Sequence, residues 1–443
     1  SQGKIYINDL ILSQDKQRVK LDGILSNEPD QLHVLFNNFS LASLQGITQP
    51  LGINLKGSLD GKVDVTSVFK NPVASANIQT SPIIYNEIPI GQLGLKADFN
   101  PSTGNMLIDL KLLDDLQRGV LVNGEYNFYS EDEPLNLKGT LTETDLMIFQ
   151  PFLKNLVSNL KGKGNANIDI KGTFKNPKIT GLGKFNDAEF TVNYLNTHYY
   201  IDNQIALVEN NAIMLQNLSV RDIKGNKAQA NGLINLQKLA NPYIDVDVSG
   251  TRFMILNTSF KDNNLYYGTA FASGLFRFKG YTSSINIDIN AKSESGTAIT
   301  LPFNSAMTVS DNDFIYFVSP DSTENENRVK RNLFSGLTMN MNLNFTPDAE
   351  LNLQTSMGSL KGSGNGTIAM KISSLGDFEM FGDYVVNQGK FHFTAQDFIN
   401  KYFDIKEGGT IRWTGNPSEA VINLNAIYQQ RTAVGPLYNA AGY

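Results

Sequence analysis

Along most of the chain, apolar and polar residues alternate one by one. Ile244-Asp245-Val246-Asp247-Val248, Ile285-Asn286-Ile287-Asp288-Ile289 and Met339-Asn340-Met341-Asn342-Leu343-Asn344-Phe345 show the pattern at length. Leu135-Asn136-Leu137-Lys138 and Leu351-Asn352-Leu353 repeat it. Successive side chains of an extended strand point to opposite faces, so each segment has one apolar and one polar side. Turn signals follow at short intervals, among them Asn71-Pro72, Asn123-Gly124 and Asn231-Gly232. The pattern predicts many short strands joined by tight turns, in an antiparallel sheet with one wet face. Helix is predicted only in short pieces. Leu146, Phe149, Phe152, Leu153, Leu156 and Leu160 keep helical spacing behind the cap candidate Thr144, interrupted by Pro151. A weaker candidate runs from Ser40 to Gln45, and Ser319 to Asn332 reads as a polar loop.

Internal repetition turns this all-β pattern into an array. Leu55-Lys56-Gly57 leads to Val63-Asp64-Val65 and Phe69-Lys70-Asn71-Pro72. Leu160-Lys161-Gly162 leads, at the same offsets, to Ile168-Asp169-Ile170 and Phe174-Lys175-Asn176-Pro177. Leu360-Lys361-Gly362 opens a third copy, with Gly364, Asn365, Ile368 and Lys371 in matching places. Unequal spacing between copies points to a degenerate array with insertions. Roughly 30 strands at about 4.8 Å each would stack to ~140–150 Å, and so wide a sheet must curl into a trough or a packed tube. The fold expected is an elongated curled β-sheet array with one or two short helices. Its divisions are a β-repeat region over 1–143, a second over 144–250 opened by the short helix, and a C-terminal domain over 251–443 that carries the polar loop 319–332.

Chemistry is sparse. The three histidines, His33, His198 and His392, belong to no paired metal-ligand motif, and cysteine is absent, which removes thiolate chemistry and zinc–thiolate sites. No nucleophile elbow, phosphate-binding loop or dinucleotide fingerprint occurs. Gly362-Ser363-Gly364-Asn365-Gly366 reads as a turn between strands. Asp311 and Asp313 read as a polar turn before the apolar strand Phe314–Val318, since the other positions of a calcium loop are missing. Asp114-Asp115 and Glu131-Asp132-Glu133 are solvated turn charges. Tyr266, Tyr267, Phe271, Phe276, Phe278, Phe391, Phe393 and Phe403 read as sheet-face packing residues. A net charge of −6, with Arg328, Lys330 and Arg331 as the densest basic run, excludes a nucleic-acid surface. No run of about 18 apolar residues can span a bilayer as a helix. The reading is of a non-enzymatic chain without cofactor.

The last third carries a resemblance. Asp377-Phe378-Glu379-Met380-Phe381-Gly382-Asp383-Tyr384 leads to Gly389-Lys390-Phe391-His392-Phe393-Thr394, Phe398-Ile399, Lys401 and Phe403-Asp404-Ile405. Then come Gly408-Gly409-Thr410-Ile411-Arg412-Trp413-Thr414-Gly415-Asn416-Pro417, with Ala420, Leu424, Ala426, Tyr428 and Leu437 closing the run. Upstream, Tyr267-Gly268-Thr269-Ala270, Gly274, Gly296-Thr297 and Leu301-Pro302 fit too. This resembles the C-terminal domain of the TamB family, the inner-membrane-anchored subunits of the translocation and assembly module, in the form found in Bacteroidota. The resemblance implies a β-taco groove of the AsmA-like superfamily, a place in the periplasm and an Omp85-type outer-membrane barrel partner that is TamA-like. It also implies roles in phospholipid transport and outer-membrane assembly. Further β-rungs and an inner-membrane anchor are expected before Ser1, and continuation past Tyr443 toward the barrel.

Two functions compete at this point. One is conduction of phospholipid along an apolar groove, for which Ile285, Ile287, Ile289, Met339, Met341, Leu343, Phe345, Leu351 and Leu353 are the candidate lining. The other is a scaffold or chaperone that aids barrel assembly through exposed sheet edges. Asp321-Ser322-Thr323 resembles the O-glycosylation signal of Bacteroidota envelope proteins, in the most polar loop of the chain.

Overall fold

The computed structural model describes residues 3–48, 54–70, 72–173, 175–238, 241–303, 336–373, 377–395 and 399–431. Asn71, Phe174, Phe398 and Leu437 lie outside the described residues. So do the acidic pair Asp311 and Asp313, the apolar run Phe314–Val318, the polar loop 319–332 with its Asp321-Ser322-Thr323, and the basic run at Arg328–Arg331. Strand takes up 71% of the chain and helix 5%, which bears out the all-β reading.

The chain opens with β1 (Ile5–Gln14), β2 (Gln17–Leu25), β3 (Gln31–Ser40), β4 (Leu55–Lys56), β5 (Ser58–Thr66) and β6 (Val73–Thr80). It continues through β7 (Ile83–Tyr85), β8 (Ile88–Asn100), β9 (Asn105–Leu113), β10 (Gly119–Asn127), β11 (Leu135–Asp145), β12 (Val157–Gly172) and β13 (Pro177–Val192). After β14 (Thr197–Ile201), β15 (Gln204–Glu209), β16 (Ala212–Asp222) and β17 (Lys227–Asn235) come β18 (Tyr243–Thr258), β19 (Tyr267–Tyr281), β20 (Ser284–Ser293) and β21 (Ala298–Phe303). The last stretch holds β22 (Leu337–Phe345), β23 (Glu350–Thr355), β24 (Gly358–Ser373), β25 (Phe378–Ala395), β26 (Ile399–Ile405), β27 (Gly409–Gly415), β28 (Val421–Asn423) and β29 (Ala426–Ile427). The chain divides into two units. The first is residues 1–191, 200–220 and 230–244; the second is residues 192–199, 221–229 and 245–443.

Both helical pieces exist, but each is shorter than the spacing suggested. Leu146–Phe149 is a 3-10 turn that runs into a four-residue helix, Gln150–Leu153, with Pro151 in its first turn. Asp145, not Thr144, caps it, accepting the Met147 N–H at 3.0 Å. Thr144 is buried and its hydroxyl donates to the Gly119 carbonyl at 2.7 Å. Leu160 lies in β12, where a four-residue step fits strand alternation as well as a helix turn. Near Ser40 the chain makes a second 3-10 turn, Leu41–Leu44, followed by Gln45–Thr48.

Each repeat copy falls at the start of a long strand: β4 and β5, β12, and β24. Three predicted turns are strand interior instead. Asn123-Gly124 lies in β10, Asn231-Gly232 in β17 and Gly362–Gly366 in β24. Gly124 has φ +145° and packs so close to the Asn136 carbonyl of β11 that no β-carbon fits. Glycine inside a strand marks such close backbone approach as readily as a turn.

In the first unit the ladder is a meander of antiparallel pairs, β1–β2–β3–β5–β6–β8–β9–β10–β11–β12. The second unit departs from the all-antiparallel expectation. Strand β19 pairs with β20 along one half and with β21 along the other, so β20 and β21 form one interrupted strand. Strands β22 and β23 likewise share β24. The two composite strands run parallel, Ile287 opposite Met339 and Leu301 opposite Leu353. Parallel neighbours need a crossover of a dozen residues or more, and residues 304–336 supply the length. From there β24–β25 and β25–β27 are antiparallel. The expected continuous strand over Val421–Tyr428 is two short ones, β28 against β27 and β29 against β26.

Candidate functional site

Ladder register places side chains on faces, and in the first unit it builds two apolar rows at right angles to the strands. One runs Leu12, Val19, Phe36, Gly61, Ile78, Leu95, Leu110, Val122, Gly139, Ile168. The other runs Leu10, Leu21, Val34, Val63, Ala76, Ala97, Ile108, Gly124, Leu137, Ile170 across the same strands. On the opposite face, between them, runs a row that is polar from β5 onward: Lys62, Asn77, Lys96, Asp109, Asn123, Lys138, Asp169. Ten strands at about 4.8 Å spacing give an apolar track of ~43 Å, longer than the roughly 30 Å hydrocarbon core of a bilayer.

Coverage of that track is incomplete. Leu10 and Leu12 are 45% and 59% exposed. Leu21, Val34, Phe36, Val63, Ile78, Leu95, Ile108, Leu110, Val122, Ile168 and Ile170 are half-buried, and Ala97 and Leu137 are buried. None of these residues belongs to the predicted groove lining. The signal was present in the same alternation, in Leu95-Lys96-Ala97-Asp98-Phe99 and Leu110-Lys111-Leu112.

All nine predicted groove residues lie in the second unit, in β20, β22 and β23. Eight are buried; Leu343 is half-buried. Their rows continue across the ladder: Phe276, Ile289, Met341, Met370, Met380 in one, and Ala291, Leu343, Ile368, Gly382, Trp413 in another. Ile289, Met339, Met341, Leu343, Phe345 and Leu351 line a cavity of about 60 Å³, together with Leu256, Tyr266, Ala270, Ile368, Met370, Met380 and Trp413. Leu353 lines a smaller one of about 10 Å³ with Leu360, Tyr384, Val386 and Ile411. Ile285 and Ile287 are buried on the same strand, away from both. Ala270 of β19 and Trp413 of β27 stand five ladder steps apart, ~24 Å on a flat sheet. That both border one cavity means this sheet curls upon itself.

Burial changes the chemistry of the second unit. Tyr194, Tyr199, Tyr266 and Tyr384 are all buried, and loss of hydration holds each phenol well above its ordinary range. The Tyr199 hydroxyl donates to the Met254 carbonyl at 2.9 Å, and its ring stacks on Phe253 at 5.0 Å. The wet face carries cross-strand ion pairs, Arg277–Asp247 at 2.7 Å, Lys279–Asp245 at 2.9 Å and Arg412–Asp383 at 2.6 Å. In two of them the guanidinium holds its partner's pair in the charged form, lowering Asp247 and raising Arg277 and Arg412.

The histidines do not meet. His33 sits 2.6 Å from Asp64, His392 stacks on Tyr402 with its Nε2 2.6 Å from Asn400, and His198 lies in β14. Among the described residues no group of three His, Cys, Asp or Glu is placed to hold a metal ion, and no helix is long and apolar enough to cross a membrane.

The family model of the TamB C-terminal domain matches residues 216–441, just over half of the chain. Comparisons with curated proteins and with solved structures gave no match. Sheet rows with one apolar face and a family match of that extent agree: the chain belongs to the TamB family, envelope proteins of the translocation and assembly module.

Proposed function

We propose that this protein conducts phospholipid between the inner and outer membranes, and that acyl chains travel along the apolar rows of its first unit. The observation that carries this is the half-exposed double row from β1 to β12, continuous across ten strands and backed by a polar face. Each methylene shielded from water on such a track is stabilised by about 0.8 kcal/mol, so a lipid tail can follow it while the headgroup stays wet. The protein would be a non-enzymatic bridge in the periplasm, anchored in the inner membrane by a segment outside this chain. It would dock on a TamA-like barrel of the Omp85 type. The nine residues first assigned to the groove would instead fill the curled interior of the second unit.

The test is site-specific photo-crosslinking in cells, with the reactive side chain at Leu95 or Val122 and, as controls, at Lys96 or Asn123 on the other face. Phospholipid adducts from the first pair and none from the second are expected. A second reading, a scaffold for barrel assembly, is favoured by the short edge strands β28 and β29, where Val421 is 63% and Ile422 48% exposed. Adducts to outer-membrane barrel strands in place of lipid would select it.

A further inference from the structure

Trp413 is the sole tryptophan of the sequence, and it is 2% exposed. It borders the cavity of about 60 Å³ in the second unit, and its indole N–H has no hydrogen-bond partner. A buried donor without an acceptor is costly and uncommon in folded proteins. Water does not answer the need, because the walls are otherwise aliphatic, aromatic or thioether, and a bound water requires two to four polar partners. Four of the walls are methionines, Met339, Met341, Met370 and Met380. Methionine is unbranched and polarizable, and it repacks around irregular guests at low cost. At its present size the cavity holds only about two waters' worth of volume, so a guest enters by displacing these side chains.

We propose that this cavity is a pocket for the acyl chain of a lipid ester, whose neutral carbonyl oxygen accepts the Trp413 indole N–H. Both halves of that ligand have a counterpart: the alkyl segment matches the methionine walls, and the carbonyl matches the orphan donor. A fatty-acid carboxylate fits worse, since its charge would be stranded in an apolar cavity. The inference rests on the lipid reading above but names a different place for one molecule of it.

The position of the sole tryptophan makes the test direct. The chain is incubated with phosphatidylcholine vesicles whose acyl chains carry bromine, separated from them by gel filtration, and compared with a parallel sample on unbrominated vesicles. Bromine quenches indole emission only at short range. Lipid should co-elute with the protein in both samples, with Trp413 emission quenched only in the brominated one. Co-eluting lipid with unchanged emission overturns the pocket and leaves the track of the first unit standing. Absence of co-eluting lipid overturns both. Trp413→Phe keeps the ring and removes the N–H, and retention of radiolabelled phosphatidylcholine should fall about fivefold, the worth of one net hydrogen bond. Retention equal to that of the unaltered chain would overturn the carbonyl contact.

Discussion

The Tyr384 ring of β25 lies directly against Gly364 of β24: a β-carbon on that glycine would stand 2.8 Å from Tyr384 Cε1 and 2.9 Å from Cζ. It would also collide with the Val385 carbonyl. Strand propensity alone makes Gly→Ala neutral or favourable, because glycine loses more backbone entropy on folding. Packing reverses the sign here. Gly364→Ala should lower the stability of the second unit by ~1–3 kcal/mol, the cost of overpacking a filled interior. A urea midpoint equal to or above that of the unaltered chain would show that the ring moves aside freely.

That contact also marks how far the sequence could be read. Alternation located the strands over Tyr243–Thr258, Ser284–Ser293, Leu337–Phe345 and Glu350–Thr355, because period two has one physical meaning. Glycine has two. Gly124, Gly232 and Gly364 looked like turn residues and are strand residues that admit a neighbour's backbone or ring. The parallel pairing of β20 with β22 was hidden for a different reason: register across a long crossover depends on tertiary packing that no local window contains. Alternation likewise says that Met341 and Val122 each face one side of a sheet. It is silent on how completely that side is covered, and coverage separates a core from a track.

The buried Asp222 carboxylate offers a second stability test. It is fully buried and accepts four hydrogen bonds, from the backbone N–H of Lys224, Asn226 and Met254 and from Asn226 Nδ2, all at 2.8–2.9 Å. Asp222→Ala strands these donors and should cost ~3 kcal/mol or more. Asp222→Asn should not rescue it, since an amide N–H would face another donor. Asp247→Ala, which breaks an exposed pair with Arg277, should cost only about 0–1 kcal/mol. Comparable losses in Asp222→Ala and Asp247→Ala, measured by thermal unfolding, would contradict the burial argument.

Alkaline pH should unfold the second unit through its tyrosines. Burial raises the phenols of Tyr194, Tyr199, Tyr266 and Tyr384 in the folded chain, while in the unfolded chain each ionises near about pH 10. Their contribution is therefore present in full below about pH 10 and is lost as pH rises beyond it, at ~1.4 kcal/mol per pH unit for each phenol. The melting temperature should fall steeply above that point, and the tyrosinate absorbance of these four should appear together with unfolding. Their titration in the intact fold at ordinary pH would refute it.

One pair of substitutions separates a lipid track from a closed core. Met341 is 8% exposed at the cavity wall, whereas Val122 is half-buried midway along the first unit's rows, opposite Leu110 and Gly139. An arginine at either site brings a charge onto an apolar face, but only the first has no route to water. Met341→Arg should therefore destabilise the second unit by ~3–5 kcal/mol, the loss typical of an uncompensated buried charge. Val122→Arg should leave the first unit folded, because its guanidinium can extend along the open face into solvent. The same charge should block the acyl path, so that a photo-crosslinker at Ile168, further along that row, no longer captures phospholipid. Circular dichroism melts read the first effect and crosslink yield the second. Unfolding of Val122→Arg would mean that the first unit's rows are a closed core. A folded Val122→Arg protein with undiminished lipid capture at Ile168 would mean that lipid, if it moves along this chain, does not follow these rows.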